Sequence, residues 1–435
     1  MLMEKLVIKG GNKLKGEVTI GGAKNAVVAI LPATLLSKSV VTLENVPDIR
    51  DVRIMMDIMR ELGASIKLID KTTYEIDTTR VKAKTVPNET AKKLRASYYL
   101  IGAMLGAFGE ANVSLPGGCD FGVRPINLHI SGFESLGAKV DIKNGMIKAT
   151  TKNRQFVGAS IYMDEVSVGA TINVMLAAVK AKGLTIIENA AREPHIVDLA
   201  NFLNRMGARV RGAGTDVIKI NGVDFLHGCS YSVVPDQIEA GTYMACVAAA
   251  GGKVTLKNVI PKHLESISAK LEACGVLIEE NEDGDELTVS REKPLKPCNV
   301  KTMPHPGFPT DMQPQIVAVL AKASGTSIVT ENVWDSRFRY VEQLLRMGAS
   351  ITVEHGDMAV IQGVKELNGA QVNATDLRAG AAMIIAGLSA KGTTEIEDIY
   401  HIERGYENVV EKLQGIGANI KKVYVPEDDD GITVA

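Results

Sequence analysis

Amphipathic segments with inward apolar positions at i, i+3, i+7 and i+10 recur along this chain, each closed by a Gly-Ala or Gly-Val pair. The closing glycines are Gly63, Gly137, Gly207, Gly275, Gly348 and Gly417, at spacings of 74, 70, 68, 73 and 69 residues. That period is too long for common solenoid repeats, so each copy is expected to be a small α/β unit. Copies one, three, four and six read Val52/Met55/Met59/Leu62, Ile196/Leu199/Leu203/Met206, Leu264/Ile267/Leu271/Cys274 and Tyr406/Val409/Leu413/Ile416. This is the stripe of a helix facing a core and stopped by a C-terminal glycine. Copies two and five put His129 and Arg337 on the stripe, which points either to function or to a slightly rotated helix.

Each copy also carries a second helix of small and apolar residues, as in 168–179, 241–250, 312–323 and 377–390. Apolar nearly all round, these are expected inside each domain, with the amphipathic helices outside. Strand-like runs at 184–188, 253–256, 327–330 and 394–396 separate the two kinds of helix. The expected fold class is therefore α/β, with three units per domain, sheets outside, helices inside, and two similar lobes.

The length of 435 residues exceeds one ordinary core and predicts two or three domains. With 46% hydrophobic and 23% charged residues the composition is that of a soluble globular protein. A net charge of -2 argues against a nucleic-acid binder held mainly by phosphate contacts. Cys119, Cys229, Cys246, Cys274 and Cys298 are odd in number, widely spaced and lack a C-x-x-C pair. That pattern is neither a disulfide framework nor a zinc site, and it fits a reducing compartment. The first five residues lack the apolar core of a signal peptide, and the longest apolar run, 98–108, is too short to span a bilayer. The expectation is a cytoplasmic protein with no membrane partner. The acidic stretch 427–430 reads as a solvated end.

The entries to the apolar helices share a polar signature: Gly22-Ala23-Lys24-Asn25, Leu94-Arg95-Ala96-Ser97, Val166-Ser167-Val168, Pro235-Asp236-Gln237, Pro309-Thr310-Asp311 and Thr375-Asp376-Leu377-Arg378. Ser and Asp are ordinary N-caps. Capping does not call for Lys24, Arg95 or Arg378, whereas helix N-termini with added cations suit phosphates and carboxylates. No G-x-x-x-x-G-K-[ST], G-x-G-x-x-G or H-E-x-x-H occurs, so ATP hydrolysis, dinucleotide redox and zinc chemistry are poorly supported, and neither cofactor nor metal is expected.

One further stretch carries chemistry. Leu115-Pro116-Gly117-Gly118-Cys119 is followed five residues on by Arg124-Pro125. Proline and the glycine pair predict a mobile loop presenting a thiol near a guanidinium, a pairing suited to a protonatable or nucleophilic group beside an anion. Together with Gly22–Asn25 in the numbering 22–25, 94–97, 166–171, 188–194, 308–313, 374–379 and 401–407, this loop resembles the bacterial enolpyruvyl transferases that act on UDP-N-acetylglucosamine, end to end. The related shikimate-phosphate transferases lack the cysteine.

The resemblance implies a two-domain inside-out α/β barrel of six units. One lobe spans 21–232 and carries the Cys119 loop; the other takes 1–20 plus 233–435, with the site in the cleft between them. It implies transfer of the enolpyruvyl group of phosphoenolpyruvate to the 3-hydroxyl of UDP-N-acetylglucosamine, opening peptidoglycan synthesis. Cys119 is implied as general acid and Asp311 as the base on the sugar hydroxyl. Lys24, Asn25, Arg124 and Arg404 are implied around phosphoenolpyruvate. Arg95, Arg124, Pro125, Ile126, Asn127, Leu128, Glu165, Val166, Ser167, Val168, Asp311 and Val333 are implied along the nucleotide sugar. His129, Arg337, Asp376 and Arg378 form a second rank, and Trp334 is either a stacking surface or packing. The family often has lysine where this chain has Glu165, so backbone contacts are expected to dominate there. Closure of the lobes on the nucleotide sugar is expected to deliver Cys119. The rival readings are a shikimate-3-phosphate carboxyvinyltransferase and a non-catalytic regulatory paralogue.

Overall fold

The structure, a computed structural model, describes residues 2–82, 85–86, 88–92, 94–115 and 126–426. The chain divides into two compact units. One comprises residues 21–236 with 304–306, the other 1–20, 237–303 and 307–435.

The sheets of both units repeat one topology. In the first copy, strand Val40–Glu44 runs parallel to the edge strand Ser230–Ser232 and antiparallel to Thr73–Asp77, which pairs in turn with Ser65–Asp70. The order is the same around Leu184–Glu188, Gly252–Lys257 and Thr326–Thr330. Around Glu110–Ser114 the parallel edge shrinks to a single bridge between Val86 and Val113. The sixth sheet is completed from the start of the chain: Leu2–Lys9 lies antiparallel between Thr393–Glu397 and Asn419–Pro426. Leading strands such as Val40–Glu44 and Leu184–Glu188 alternate buried and open positions, the signature of a sheet with one face on a core.

Among the described residues six apolar helices fill the cores. In the unit of 21–236 they are α1 (Lys24–Ala33), α2 (Tyr99–Phe108) and α3 (Val168–Ala178), with α2 packed on both others. In the other unit α4 (Gln237–Ala250), α5 (Gln313–Leu320) and α6 (Leu377–Ser389) pack pairwise. They begin or end a few residues away from the apolar runs: α4 starts four residues ahead of 241, and a 3-10 turn, Thr310–Met312, precedes α5. All six closing glycines adopt the left-handed backbone, with φ between 85° and 109°. A residue with a Cβ resists that conformation, which is why glycine ends each outer helix.

His129, 7% exposed, remains on the inward face of helix Asn127–Ser135, so rotation does not explain it, and Arg337 is buried too at 3% exposed. Arg337 lies in the turn ahead of a short helix, Val341–Arg346, rather than within it. Among the described residues no helix is long and apolar enough to cross a membrane.

Candidate active site

In the unit of 21–236, Lys24 is the first residue of α1. Its ammonium sits 2.8 Å from the buried carboxylate of Asp51, and its backbone N–H donates to Asp236 Oδ2 at 3.1 Å. Asp236, just ahead of α4 in sequence, thus satisfies a free N–H of α1, 212 residues away. Gly22 admits no Cβ, which would fall 1.7 Å from the Asn45 carbonyl oxygen. Lys24 is thereby held by charge and by backbone, with Asn25 half-buried beside it.

His129 is fixed by its neighbours. Asn173 Oδ1 accepts the Gly102 N–H at 2.8 Å, so Nδ2 of that amide faces His129 Nδ1 at 2.9 Å as a donor. Nδ1 must then accept, leaving the ring neutral with its proton on Nε2. Burial, aided by the Arg95 charge, pushes its pKa down to about 4. Tyr98 packs edge-on against the ring, and a Cβ on Gly169 would come within 2.9 Å of both side chains. Ser167 Oγ caps α3 by accepting from Ala170 N at 3.3 Å. Arg95 opens the 3-10 turn Arg95–Tyr98, and among the described residues its buried Nε has no hydrogen-bond partner. Glu165 and Val166 are exposed, Ile126, Leu128 and Val168 half-buried, and Asn127 exposed.

In the other unit Asp311 is the hub of a cationic cluster. Arg378 Nη2 lies 2.8 Å from Asp311 Oδ2, and Arg337 Nη2 lies 3.8 Å from Oδ1. Both arginines are at most 4% exposed, so neither is a surface salt-bridge former. Arg378 Nη1 donates to Tyr406 Oη at 3.3 Å, and Tyr406 Oη shares a 2.9 Å bond with Thr242 Oγ1. Asp376 caps α6, accepting from the backbone of Arg378 and Ala379. Arg404 follows the short helix Tyr400–Glu403 and is half-buried. Val333 N donates to the carboxylate of Glu331 at 2.9 Å, and Trp334 N donates to the same oxygen.

Within each unit the structure gathers several of the expected residues: Lys24 with Asn25, Arg95 with His129, and Asp311 with Arg337 and Arg378. Cys119, Arg124 and Pro125 lie outside the described residues. Sequence reasoning missed Asp51, Asn173, Glu331 and Tyr406 as partners. Asn173 had a legible signal, an amide inside an otherwise apolar helix. Asp51 reads as an ordinary first-turn acid and gave no such sign.

Known proteins give this arrangement a class. The fold matches the enolpyruvyl transferase NikO from Streptomyces tendae with a TM-score of 0.87 at 25% identity, covering 98% of this chain and 100% of that one. It also matches an EPSP synthase from Acinetobacter baumannii at a TM-score of 0.76 and 17% identity, a likeness of fold alone. A family profile described as EPSP synthase (3-phosphoshikimate 1-carboxyvinyltransferase) covers residues 8–413. These define a carboxyvinyltransferase fold. Relatives from Caldanaerobacter subterraneus subsp. tengcongensis and Clostridium acetobutylicum are 56% and 55% identical over 97% of this chain and at least 99% of theirs. They are named UDP-N-acetylglucosamine 1-carboxyvinyltransferase 3 and 2. The chain belongs to the EPSP synthase family, within its UDP-N-acetylglucosamine 1-carboxyvinyltransferase branch.

Proposed function

We propose that the protein transfers the enolpyruvyl group of phosphoenolpyruvate to the 3-hydroxyl of UDP-N-acetylglucosamine and releases phosphate, the first committed step of peptidoglycan synthesis. The observation carrying this reading is identity above half with near-full-length relatives of that name. A six-unit inside-out barrel, three units in each lobe, is the architecture we assign to it, on the strength of the recurring sheet topology.

In the proposed mechanism Cys119 delivers a proton to C3 of phosphoenolpyruvate, so that C2 becomes electrophilic. The sugar hydroxyl attacks C2 and its proton passes to Asp311, giving a tetrahedral ketal. C3 then returns a proton to the Cys119 thiolate left by the first step, the bond from C2 to the phosphate oxygen breaks, and the double bond reforms as phosphate leaves. Lys24, Arg124 and Arg404 neutralise the phosphate and carboxylate, where arginine forks also match the charge of the ketal. Arg337 and Arg378 hold Asp311 by ion pairs, which orients its carboxylate. His129, being neutral and buried, binds or shapes rather than neutralises. Free thiols at Cys229, Cys246, Cys274 and Cys298 accord with a reducing compartment.

The alternative, shikimate 3-phosphate as acceptor, has the family profile's own description in its favour. Phosphate release is to be measured with phosphoenolpyruvate and each acceptor in turn. Turnover with UDP-N-acetylglucosamine alone is expected, with Cys119→Ala inactive and Cys119→Asp retaining turnover, since a carboxyl also supplies a proton. Turnover with shikimate 3-phosphate instead would refute the reading. Fosfomycin, an epoxide phosphonate, is expected to alkylate Cys119, read by peptide mass spectrometry.

A further inference from the structure

In copies one, three and four the residue after the leading strand is an asparagine in the left-handed conformation: Asn45, Asn189 and Asn258, with φ of 55°, 56° and 57°. Each donates its Nδ2 to the carbonyl just past the parallel edge strand, at Val233, Met163 and Ile20. In copy five Asn332 does this, donating to Thr302 O at 3.0 Å, and Glu331 is interposed between strand and asparagine. That additional residue is a carboxylate, and it is 3% exposed.

A buried carboxylate is costly unless its lone pairs are met. Here four donors meet them. Oε1 accepts from Thr302 Oγ1 at 2.8 Å, Val333 N at 2.9 Å and Trp334 N at 3.2 Å, while Oε2 accepts from Thr310 Oγ1 at 3.0 Å. Thr302 Oγ1 in turn accepts from Asn332 N at 2.9 Å. Among the described residues Glu331 forms no ion pair with lysine or arginine. Its charge is therefore balanced by dipoles from three stretches of chain, at Thr302, Thr310 and Val333–Trp334. Thr310 immediately precedes Asp311, and Val333 belongs to the loop assigned to the nucleotide sugar.

We propose that Glu331 is a positioning residue for the transfer reaction. It clamps the Asp311 segment and the Val333–Trp334 backbone to one point, so that the base and the sugar's binding loop keep a fixed separation. The inference rests on the function proposed above. Misplacing a reacting group by about 1 Å costs on the order of 100-fold in rate, which sets the scale expected when the clamp is cut.

Steady-state kinetics on the full chain test it. Thr310→Val cuts only the link to Asp311, so kcat should fall about 10- to 100-fold while KM for UDP-N-acetylglucosamine changes by less than about threefold. Thr310→Ser, which keeps the hydroxyl, should restore kcat. Glu331→Leu removes all four bonds and should raise that KM and lower kcat together. Glu331→Gln should fall between wild type and Glu331→Leu, because its amide oxygen still receives the two backbone N–H groups. Wild-type kcat in Thr310→Val, or equal loss in Thr310→Val and Thr310→Ser, overturns the positioning role even if Glu331→Leu fails to fold. A wild-type chain that releases no phosphate with the two substrates overturns the functional reading and this inference with it.

Discussion

His129 stands where three other repeats place an aliphatic side chain, and its environment dictates its chemistry. Protonation would set an imidazolium N–H against the Asn173 amide, whose other end is committed to Gly102 N. Nitrogen-detected NMR should therefore find the Nε2–H tautomer unchanged from pH 5.5 to 8. Asn173→Asp replaces the opposing donor with a carboxylate, and His129 should then titrate within that range. A second residue-scale prediction concerns Tyr406, 3% exposed, whose hydroxyl receives Arg378. Tyr406→Phe removes one acceptor from a buried guanidinium, at a cost of about 1–3 kcal/mol in stability measured by chemical denaturation. Turnover should fall as well, since Arg378 holds Asp311. The polar breaks at 129 and 337 were legible in the repeat, because a pattern kept elsewhere made them conspicuous. Which partners they meet was not, because Asn173 reaches His129 and Asp311 reaches Arg337 only through tertiary packing, even though the amide of Asn173 stood out within its helix.

Helices end here in two different ways. Outer helices stop at glycines, which a six-fold recurrence makes readable from the chain. The apolar helices carry polar caps at their starts, and some of those caps act across the fold: Asp236 serves α1 rather than merely its own neighbourhood. Local sequence cannot show such a reach. The far ends of these helices are subtler still. Arg291 Nη2 donates to Ala249 O at the end of α4, and Lys322 Nζ donates to Ser389 O at the end of α6. Burial lowers the pKa of both cations, and in Lys322 the charge of Arg291 adds to it. They remain because each meets the partial negative charge of a helix C-terminus. Lys322→Met keeps the stem and deletes the charge, so it should destabilise by about 1 kcal/mol. A lowered urea midpoint with an unchanged m-value would show it, while a raised midpoint would mean that desolvation outweighs the cap.

At the scale of the molecule, the first strand completes the last repeat, so its absence would strip one side of Thr393–Glu397 and leave Asn419–Pro426 without any strand partner. A repeat period alone does not reveal this closure, since the missing strand and its sheet lie at opposite ends of the chain. The unit of 21–236 also contains two buried titrating groups that oppose each other. Burial raises Asp198 from 3.8 to about 6, against the pull of Tyr231 and Val234 N–H, which donate to its carboxylate. Its contribution is complete below pH 3.8 and is lost as pH rises through 6, amounting to about 3 kcal/mol. His129, lowered from 6.5 to about 4, behaves in the opposite sense: its contribution is complete above 6.5 and is lost as pH falls through 4. Between pH 4 and 6 the folded unit keeps the Asp198 proton that the unfolded chain has released, and excludes the His129 proton that the unfolded chain binds. The two slopes nearly cancel. Asp198→Asn still accepts from Tyr231 but removes one of them, so stability should now climb with pH by about 1.4 kcal/mol per unit relative to wild type. Hydrogen-exchange protection of α3 peptides between pH 4.5 and 6 reports on this unit directly. Parallel wild-type and variant curves across that range would show that Asp198 is ionised in the folded unit throughout it.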